Sequence, residues 1–297
     1  MKVEDVKKIC IMGAGLMGNG IAQTCAQAGF EVAMRDIEDR FVENGMNTIK
    51  RNLSRGVSKG KMTQEKMNEI VGRIKGTTDL KAAAFNADVV IEAIIENRDL
   101  KRKVFAELDE ICKPECIFAS NTSSISITDM ASATKRPEKF IGMHFFNPVP
   151  VMRLVEIIKG YDTSEETYKF IDELSKKLGK ETVLVNEAPG FAVNRLLLPF
   201  LLEAIFTIQE GVTTIEDLDK AITLGLNHPM GPLTLLDFVG LDTALFIADY
   251  MYSEFQDSKY RAPTLLRKMV RAGHFGRKTG KGFYDYSQKP PEPRSFR

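Results

Sequence analysis

The sequence has almost no excess of charge of either sign. Its 297 residues include 41 lysines and arginines against 40 aspartates and glutamates, so the formal net charge is +1. A near-neutral chain has no general attraction to nucleic acid or to an anionic membrane surface. The sequence therefore predicts no nucleic-acid or membrane partner, and an anionic ligand has to be held by a local arrangement of residues.

Cysteines are few, and none belongs to a zinc-type motif. The four are Cys10, Cys25, Cys112 and Cys116, and none lies in a CxxC pair accompanied by a second pair of ligands. We therefore predict no metal site. We interpret the thiols as reduced and mostly buried, as free cysteines usually are. A redox pair of Cys112 and Cys116 is the alternative interpretation.

Long apolar runs are also missing. The first apolar run begins at Ile9 after a short segment of mixed charge, which predicts no signal or transit peptide. The apolar segment 196–208 is interrupted by Glu203 and has the length of a buried helix rather than of a membrane span. A cytoplasmic protein is predicted.

The first half of the chain alternates short strand-like runs with helical segments, which is typical of a parallel sheet covered by helices. The predicted strands are 8–12, 31–35, 89–93, 117–120, 140–143 and 154–158, and the polar stretch 37–76 predicts a pair of helices. From Phe191 onward, apolar-periodic helices predict no strand before about 283–286. We predict an α/β fold: a Rossmann-type doubly wound, mostly parallel sheet followed by an all-helical C-terminal domain.

A Pro-Gly turn separates the two halves. Residues 187–190 read Glu-Ala-Pro-Gly, and proline and glycine commonly end structural elements. We place the domains at 1–186 and 187–297. The proline-rich tail from Lys289 is predicted to be frayed.

A dinucleotide fingerprint follows the first predicted strand. The sequence from Gly13 to Gly18 is Gly13, Ala14, Gly15, Leu16, Met17, Gly18. In such a loop the first glycine permits the tight turn, the second admits a pyrophosphate, and the third packs the helix on the strand. Asp36 ends the second strand, where a carboxylate binds ribose hydroxyls and repels a 2'-phosphate. NAD is therefore favoured over NADP, although Arg35 could favour a phosphate and a chance glycine loop is the alternative.

Only three histidines exist, and His144 is placed best for acid/base work. It ends a predicted strand, where ligands of doubly wound folds bind. Glu156 is a lone carboxylate in an apolar strand and needs a partner if buried. The two can meet if residues 146–152 fold back. On the residues alone, His144 could equally be a satisfied core histidine and Glu156 a surface acid.

Eight motifs together give the sequence a family resemblance over essentially its whole length. They are GAGLMGNGIAQ from Gly13, IIEN from Ile94, SNTSS from Ser120, HFFNPVP from His144, LVEII from Leu154, APGFAVNR from Ala188, NHPMGP from Asn227 and GRKTGKGFY from Gly276. With these the sequence resembles the 3-hydroxyacyl-CoA dehydrogenase family, and within it the stand-alone bacterial enzymes of butyrate metabolism that act on 3-hydroxybutyryl-CoA. The resemblance implies an NAD-dependent interconversion of (S)-3-hydroxybutyryl-CoA and acetoacetyl-CoA.

The resemblance also implies roles for individual residues. It makes His144 the acid/base and Glu156 its partner, and it places Ser123 and Asn194 at the reacting oxygen and thioester. The implied cofactor contacts are Gly13 to Gly18, Asp36, Glu96, Lys101, Ser123, Asn147 and Lys278. The implied coenzyme A contacts are Lys59 and Ser123, with Asn52 or Ser54 where the family usually has a serine. Without the resemblance, Ser123 or Ser126 could simply cap a helix.

Apolar helices in the second half, such as 196–208, carry more apolar surface than a small domain buries, which predicts a homodimer or higher homo-oligomer. Two other functions remain open. One is a dehydrogenase of a free beta-hydroxyacid, which typically relies on a lysine. The other is a non-catalytic relative that binds NAD, as lens crystallins of this family do. The acyl-chain preference is not fixed by the sequence.

Overall fold

The computed structural model describes residues 1–296 and divides into two compact units. The first unit is Met1–Phe191 and the second begins at Ala192. The domain boundary expected at residue 186 stays a prediction.

The first unit is built on one eight-stranded sheet. Its strands are β1 (Lys8–Met12), β2 (Glu31–Arg35), β3 (Ile74–Thr77), β4 (Val89–Glu92), β5 (Ile117–Ser120), β6 (Phe140–Phe145), β7 (Leu154–Lys159) and β8 (Glu181–Asn186). Their order across the sheet is β3-β2-β1-β4-β5-β6-β7-β8. Only the β6–β7 pair is antiparallel. The prediction of a doubly wound, mostly parallel sheet is confirmed.

Helices cover this sheet. They are α1 (Leu16–Gln27), α2 (Asp39–Ser58), α3 (Gln64–Gly72), α4 (Leu80–Ala84), α5 (Arg98–Ile111), α6 (Ile127–Ala131) and α7 (Glu165–Lys177), with short 3-10 turns at Val3–Asp5 and Pro137–Lys139. The pair α2 and α3 confirms the helix pair expected in the polar stretch. The alternating side chains of β1 divide between two apolar clusters: Ile9 and Ile11 belong to one, and Cys10 and Met12 to the other. Because successive side chains of a strand point to opposite faces, the sheet has a core on each side.

All six predicted strands are present, with ends that differ by two residues at most. The two strands of this sheet that were missed, β3 and β8, are its edge strands. β3 is four residues long and contains a lysine and a glycine, and every residue of β8 is at least partly exposed. An edge strand pairs on one side only and needs less apolar sequence, so both escape a pattern search.

The second unit is mainly helical. Its helices are α8 (Val193–Gln209), α9 (Ile215–Gly225), α10 (Pro232–Val239), α11 (Leu241–Phe255) and α12 (Thr264–Arg271), with 3-10 turns at Ser258–Tyr260 and Arg277–Thr279. They enclose a separate apolar core that includes Leu202, Leu236 and Phe283. A small antiparallel pair of strands, β9 (Tyr284–Asp285) and β10 (Glu292–Pro293), follows. The second unit is therefore helical but not all-helical.

The prediction of a frayed tail is wrong over residues 292–296. Strand β10 pairs with β9, and the backbone N–H of Arg294 donates to the carbonyl of Phe283 at 3.0 Å. The ring of Phe296 packs edge-on against Phe283, with centroids 5.8 Å apart. Strand pairing, this hydrogen bond and aromatic packing together hold a segment that its prolines had suggested to be loose.

The four cysteines are free and buried, as expected from the sequence. Burial raises the pKa of the Cys10 and Cys25 thiols to about 12. Among the helices of residues 1–296, none combines the length and apolar character needed to cross a membrane.

Candidate active site

The dinucleotide fingerprint forms the connection from β1 to α1, and the roles of its glycines are visible in the packing. Gly13 has a φ of +104°, and a Cβ there would lie 2.5 Å from the carbonyl oxygen of Ala93. A Cβ on Gly18 would lie 1.9 Å from the carbonyl oxygen of Gly13. Gly15 caps the N-terminus of α1 and is exposed, with nothing within 4 Å of its Cβ position. The loop is therefore closely packed at both ends, against the residue after β4 at Gly13 and against itself at Gly18, and it is open at its middle glycine.

Asp36 lies beside this opening at the end of β2. Its carboxylate accepts hydrogen bonds from the backbone N–H of Ala14 and of Ile37, each at 2.7 Å. The Nε of Arg35 donates to the carbonyl of Thr78 at 3.1 Å, so that side chain is engaged with the backbone behind β3. An open helix N-terminus next to a fixed carboxylate fits the pyrophosphate and ribose of NAD.

A buried ammonium group lies between two carboxylates near the ends of β4 and α5. Lys101 Nζ is 2.6 Å from Oε1 of Glu92 and 3.2 Å from Oε2 of Glu96. Lys101 and Glu92 are buried, whereas 25% of the Glu96 side chain is exposed. Burial lowers the pKa of Lys101, but the two carboxylates outweigh that effect and hold its pKa above the usual value. Lys101 is therefore a permanent cation that fixes two acids.

The loop after β5 is hydrogen-bonded to one of these two carboxylates, that of Glu96. Oε1 of Glu96 accepts hydrogen bonds from the Thr122 hydroxyl, from the backbone N–H of Ser123 at 3.1 Å and from the Ser124 hydroxyl at 3.2 Å. The structure thus brings together three residues that the sequence analysis named separately, Glu96, Lys101 and Ser123. Helix capping belongs to Ser126, whose hydroxyl accepts from the backbone N–H of Asp129 at 3.0 Å.

Replacing Glu96 by glutamine is expected to lower thermal stability at neutral pH but not in acid. Burial raises the pKa of Glu96, but the charge of Lys101 and three hydrogen bonds outweigh it, so the pKa lies below the usual 4.5. A depressed carboxyl pKa contributes stability that is present above the unfolded pKa and is lost as the pH falls through the folded one. The difference between the melting temperatures of the two proteins, measured from pH 7 to pH 3, should therefore begin to shrink as the pH falls below about 4.5 and should vanish only below the lowered pKa of Glu96. A constant difference in melting temperature over that range would contradict the assignment.

His144 and Glu156 are directly opposite each other on β6 and β7. His144 Nδ1 lies 2.7 Å from Oε2 of Glu156, and the two residues are 6% and 0% exposed. Facing residues of an antiparallel pair have neighbouring side chains on one face of the sheet, so the strand register itself creates the contact. The suggestion that Glu156 is a surface acid is wrong. The carboxylate fixes the Nδ1 side of the imidazole and directs Nε2 away from it.

Two aromatic rings pack around His144, and an amide side chain is bonded to the next residue of β6. Its ring centroid is 4.5 Å from that of Phe146 and 5.6 Å from that of Phe191. Phe191 is buried and has a φ of +52°, a conformation unusual for a bulky side chain. The side chain of Asn121 accepts from the backbone N–H of Phe145 at 2.9 Å, which ties the β5 loop to the end of β6. The candidate base, His144, is therefore held by the Glu156 carboxylate and by the two packed rings. The strand end that carries it is fixed by the hydrogen bond from Phe145 to Asn121.

The remaining predicted contacts are more scattered. Asn147 is exposed directly after β6, Asn52 is half-buried on α2, and Lys59 is exposed at the C-terminal end of α2. Two others belong to the second unit. Asn194 is in the first turn of α8, and Lys278 Nζ is paired with Asp242 at 2.6 Å. Cofactor or substrate contacts for these five residues stay predictions.

Three residues of the site were not identified from the sequence: Glu92, Asn121 and Phe191. Glu92 carried a usable signal, because it is a lone carboxylate at the end of the apolar run Val89 to Ile91, as Glu156 is in β7. A buried acid of this kind requires partners. Asn121 and Phe191 carried no such signal, since their roles depend on contacts between distant segments.

Comparisons with known proteins agree with this geometry. The family model described as 3-hydroxyacyl-CoA dehydrogenase, NAD binding domain, matches residues 8–188. The model described as 3-hydroxyacyl-CoA dehydrogenase, C-terminal domain, matches residues 190–286. The two matches together span almost the whole chain.

Individual relatives are similar over nearly their full lengths. A probable 3-hydroxybutyryl-CoA dehydrogenase of Bacillus subtilis is 51% identical over 96% of this chain and 99% of its own. The 3-hydroxybutyryl-CoA dehydrogenase of Bradyrhizobium diazoefficiens is 49% identical, covering 97% and 98%. The crystal structure of an (S)-3-hydroxybutyryl-CoA dehydrogenase from Ralstonia eutropha superposes with a TM-score of 0.91 at 48% identity, covering 96% of this chain and 100% of that one. The chain belongs to the 3-hydroxyacyl-CoA dehydrogenase family and is an oxidoreductase with an NAD-binding domain.

Proposed function

We propose that this enzyme interconverts (S)-3-hydroxybutyryl-CoA and acetoacetyl-CoA with NAD(H), using His144 as the acid/base. The observation that carries the proposal is the buried contact of 2.7 Å between His144 Nδ1 and Glu156 at the carboxyl end of β6. Parallel sheets of this type bind ligands at the carboxyl ends of their strands. The named relatives support the substrate, because their names specify 3-hydroxybutyryl-CoA.

In the oxidation direction, Nε2 of His144 takes the proton of the substrate's 3-hydroxyl group while the hydrogen on the same carbon departs as hydride. Glu156 accepts the Nδ1 hydrogen bond, keeps the ring in the tautomer that presents a basic Nε2, and stabilises the imidazolium that forms. In the reduction direction His144 returns the proton to the ketone oxygen. Bound NAD supplies the acceptor of the hydride.

The proposed cofactor contacts lie mostly in the first unit, with one residue from the second. Backbone groups of Gly13 to Gly18 face the pyrophosphate, Asp36 binds the adenosine ribose, and Glu96, Lys101 and Ser123 are further contacts with the cofactor. Asn147 and Lys278 complete the set. For the substrate we propose Ser123 and Asn194 at the thioester region, and Lys59 and Asn52 on the coenzyme A arm, where an exposed ammonium group suits phosphates.

The test is the oxidation of NADH, followed by its absorbance, with acetoacetyl-CoA as the substrate. We expect rapid turnover with NADH, much slower turnover with NADPH because Asp36 repels a 2'-phosphate, and loss of turnover in His144→Ala. The His144→Ala protein should still bind NADH. Free acetoacetate serves as the control substrate, since a dehydrogenase of free beta-hydroxyacids would prefer it to the thioester.

Each alternative function has its own outcome in this assay. Preference for free acetoacetate would replace the proposal by a free-acid dehydrogenase. NADH binding without turnover of any thioester would indicate a non-catalytic relative. Turnover that survives in His144→Ala would remove His144 from the mechanism.

We further propose that the enzyme is a homodimer formed through its helical unit. Large apolar side chains are exposed there, among them Leu196 at 78%, Leu224 at 77% and Val212 at 70%, and surfaces of this kind commonly mark subunit contacts. Sedimentation at micromolar concentration should show a dimer or a larger assembly, and a monomer alone would contradict the proposal. The free, buried cysteines support a reducing compartment, and we propose the cytoplasm.

A further inference from the structure

The least exposed carboxylate near the cofactor loop is one to which the mechanism gives no task. Glu92 ends β4 with an exposure of 0%, and it has neither a place in the fingerprint nor a contact with His144 among its hydrogen bonds. Enclosing a carboxylate so completely is costly unless its oxygens are fully bonded. Its partners therefore show what the residue is for.

The hydrogen bonds of Glu92 reach three elements of the first unit, two of them near it in the sequence and one 28 residues away. Oε1 accepts from Lys101 Nζ at 2.6 Å and from the backbone N–H of Ile94 at 2.7 Å. Oε2 accepts from the Ser120 hydroxyl at 2.6 Å. One side chain thus binds the loop after β4, the first turn of α5 and the last residue of β5.

These segments carry or adjoin residues proposed to contact the cofactor, namely Glu96, Lys101 and Ser123. The Ser120 hydroxyl in turn accepts from the backbone N–H of Thr122 at 3.2 Å, next to Ser123. Lys101 also forms an ion pair with Glu96, and Glu96 accepts a hydrogen bond from the backbone N–H of Ser123. Glu92 is therefore linked to Ser123 by two routes, one through Ser120 and one through Lys101 and Glu96.

We propose that Glu92 is a positioning residue that sets the Ser123 loop, Glu96 and Lys101 in the geometry required for cofactor binding. This inference rests on the proposed function for the identity of the cofactor site. Its structural content, a single buried acid that orders two loops, does not depend on the substrate.

The test compares Glu92→Gln with a matched control, Asp109→Asn. Asp109 is also a buried acid of the first unit, it lies on α5, and it is paired with Arg136 Nε at 2.6 Å. It contacts neither the 94–96 segment nor the 120–124 segment in any hydrogen bond of its side chain. Both substitutions remove the charge of a buried ion pair, so both are expected to lower the melting temperature.

Two readouts separate positioning from simple stabilisation, and neither requires turnover. In Glu92→Gln, amide hydrogen exchange at 94–96 and 120–124 should rise at least about tenfold, because loops released from a buried acid open locally. The Kd of NADH should also rise by about tenfold, since the loops must be ordered again on binding. Asp109→Asn should change neither quantity.

The proposal is overturned if Glu92→Gln and Asp109→Asn lose similar stability while loop exchange and NADH affinity stay at wild-type values in both. If Glu92→Gln does not fold, Ser120→Ala decides. It keeps the buried charges but removes one route to Ser123, so exchange should rise at 120–124 and not at 94–96. Failure of the wild-type protein to reduce acetoacetyl-CoA would refute the proposed substrate and leave these readouts intact.

Discussion

Replacement of Glu156 by glutamine is expected to lower kcat by about three to four orders of magnitude, the scale that applies when the carboxylate partner of a catalytic histidine is neutralised. Glutamine has nearly the same shape, so the fold should persist. Its amide group can donate to Nδ1 of His144, however, and that arrangement puts the ring proton on Nε2. The nitrogen that faces the substrate would then be a donor, which is wrong for removing the hydroxyl proton.

The measurement is steady-state oxidation of 3-hydroxybutyryl-CoA by NAD, with NADH affinity and melting temperature determined on the same preparations. Glu156 lies on β7, with three strands between it and β1 in the sheet, and it is paired with His144 on the neighbouring strand. NADH affinity should therefore stay within about threefold of wild type, as for distant, independent sites. Asp109→Asn again provides the comparison for loss of a buried acid. A Glu156→Gln enzyme with wild-type kcat would rule out the His-Glu pair.

The dinucleotide site could be predicted from the sequence because its determinants are local. Strand, glycine loop and helix follow each other within residues 8–27, and the steric reasons for Gly13 and Gly18 depend only on Ala93 and on the loop itself. Identifying Asp36 as part of the site required only one further strand, β2. Such a motif loses little when the rest of the fold is unknown.

The pairing of His144 with Glu156 could be suggested but not fixed. It requires β6 and β7 to be antiparallel with His144 opposite Glu156, and twelve residues of separation do not determine that register. A slip by one residue would turn either side chain to the other face of the sheet. The pairing of His144 with Glu156 was implied by the family resemblance and not by their spacing in the sequence.

The network around Glu92 and the ordered tail were missed for a common reason. Both depend on contacts between segments that are separate in the sequence, such as Ser120 with Glu92 or Phe296 with Phe283. Hydrophobic periodicity reports which face of an element is buried, but it does not report the partner. Lone acids in apolar strands are a practical exception, because burial obliges them to have partners.

Gly15→Ala is expected to weaken NADH binding without affecting stability, whereas Gly18→Ala is expected to destabilise the fold. Gly15 has ordinary φ and ψ values of -65° and -166° and nothing within 4 Å of its Cβ position, so the apoprotein should fold with an unchanged melting temperature. The added methyl group would occupy the space through which the pyrophosphate approaches the helix N-terminus. A loss of about 3 kcal/mol there raises the Kd of NADH about a hundredfold.

Gly18→Ala places a Cβ 1.9 Å from the carbonyl oxygen of Gly13, where no flexible side chain can yield. Overpacking against backbone should cost about 3 kcal/mol or more and show as a lower melting temperature or as insoluble protein. Melting curves and NADH fluorescence titrations of the two variants separate the effects. If Gly15→Ala bound NADH as wild type does, the phosphates would not lie at the open middle of the loop. The assignment of cofactor contacts to Gly13 to Gly18 would then be wrong, although the fold would remain correct.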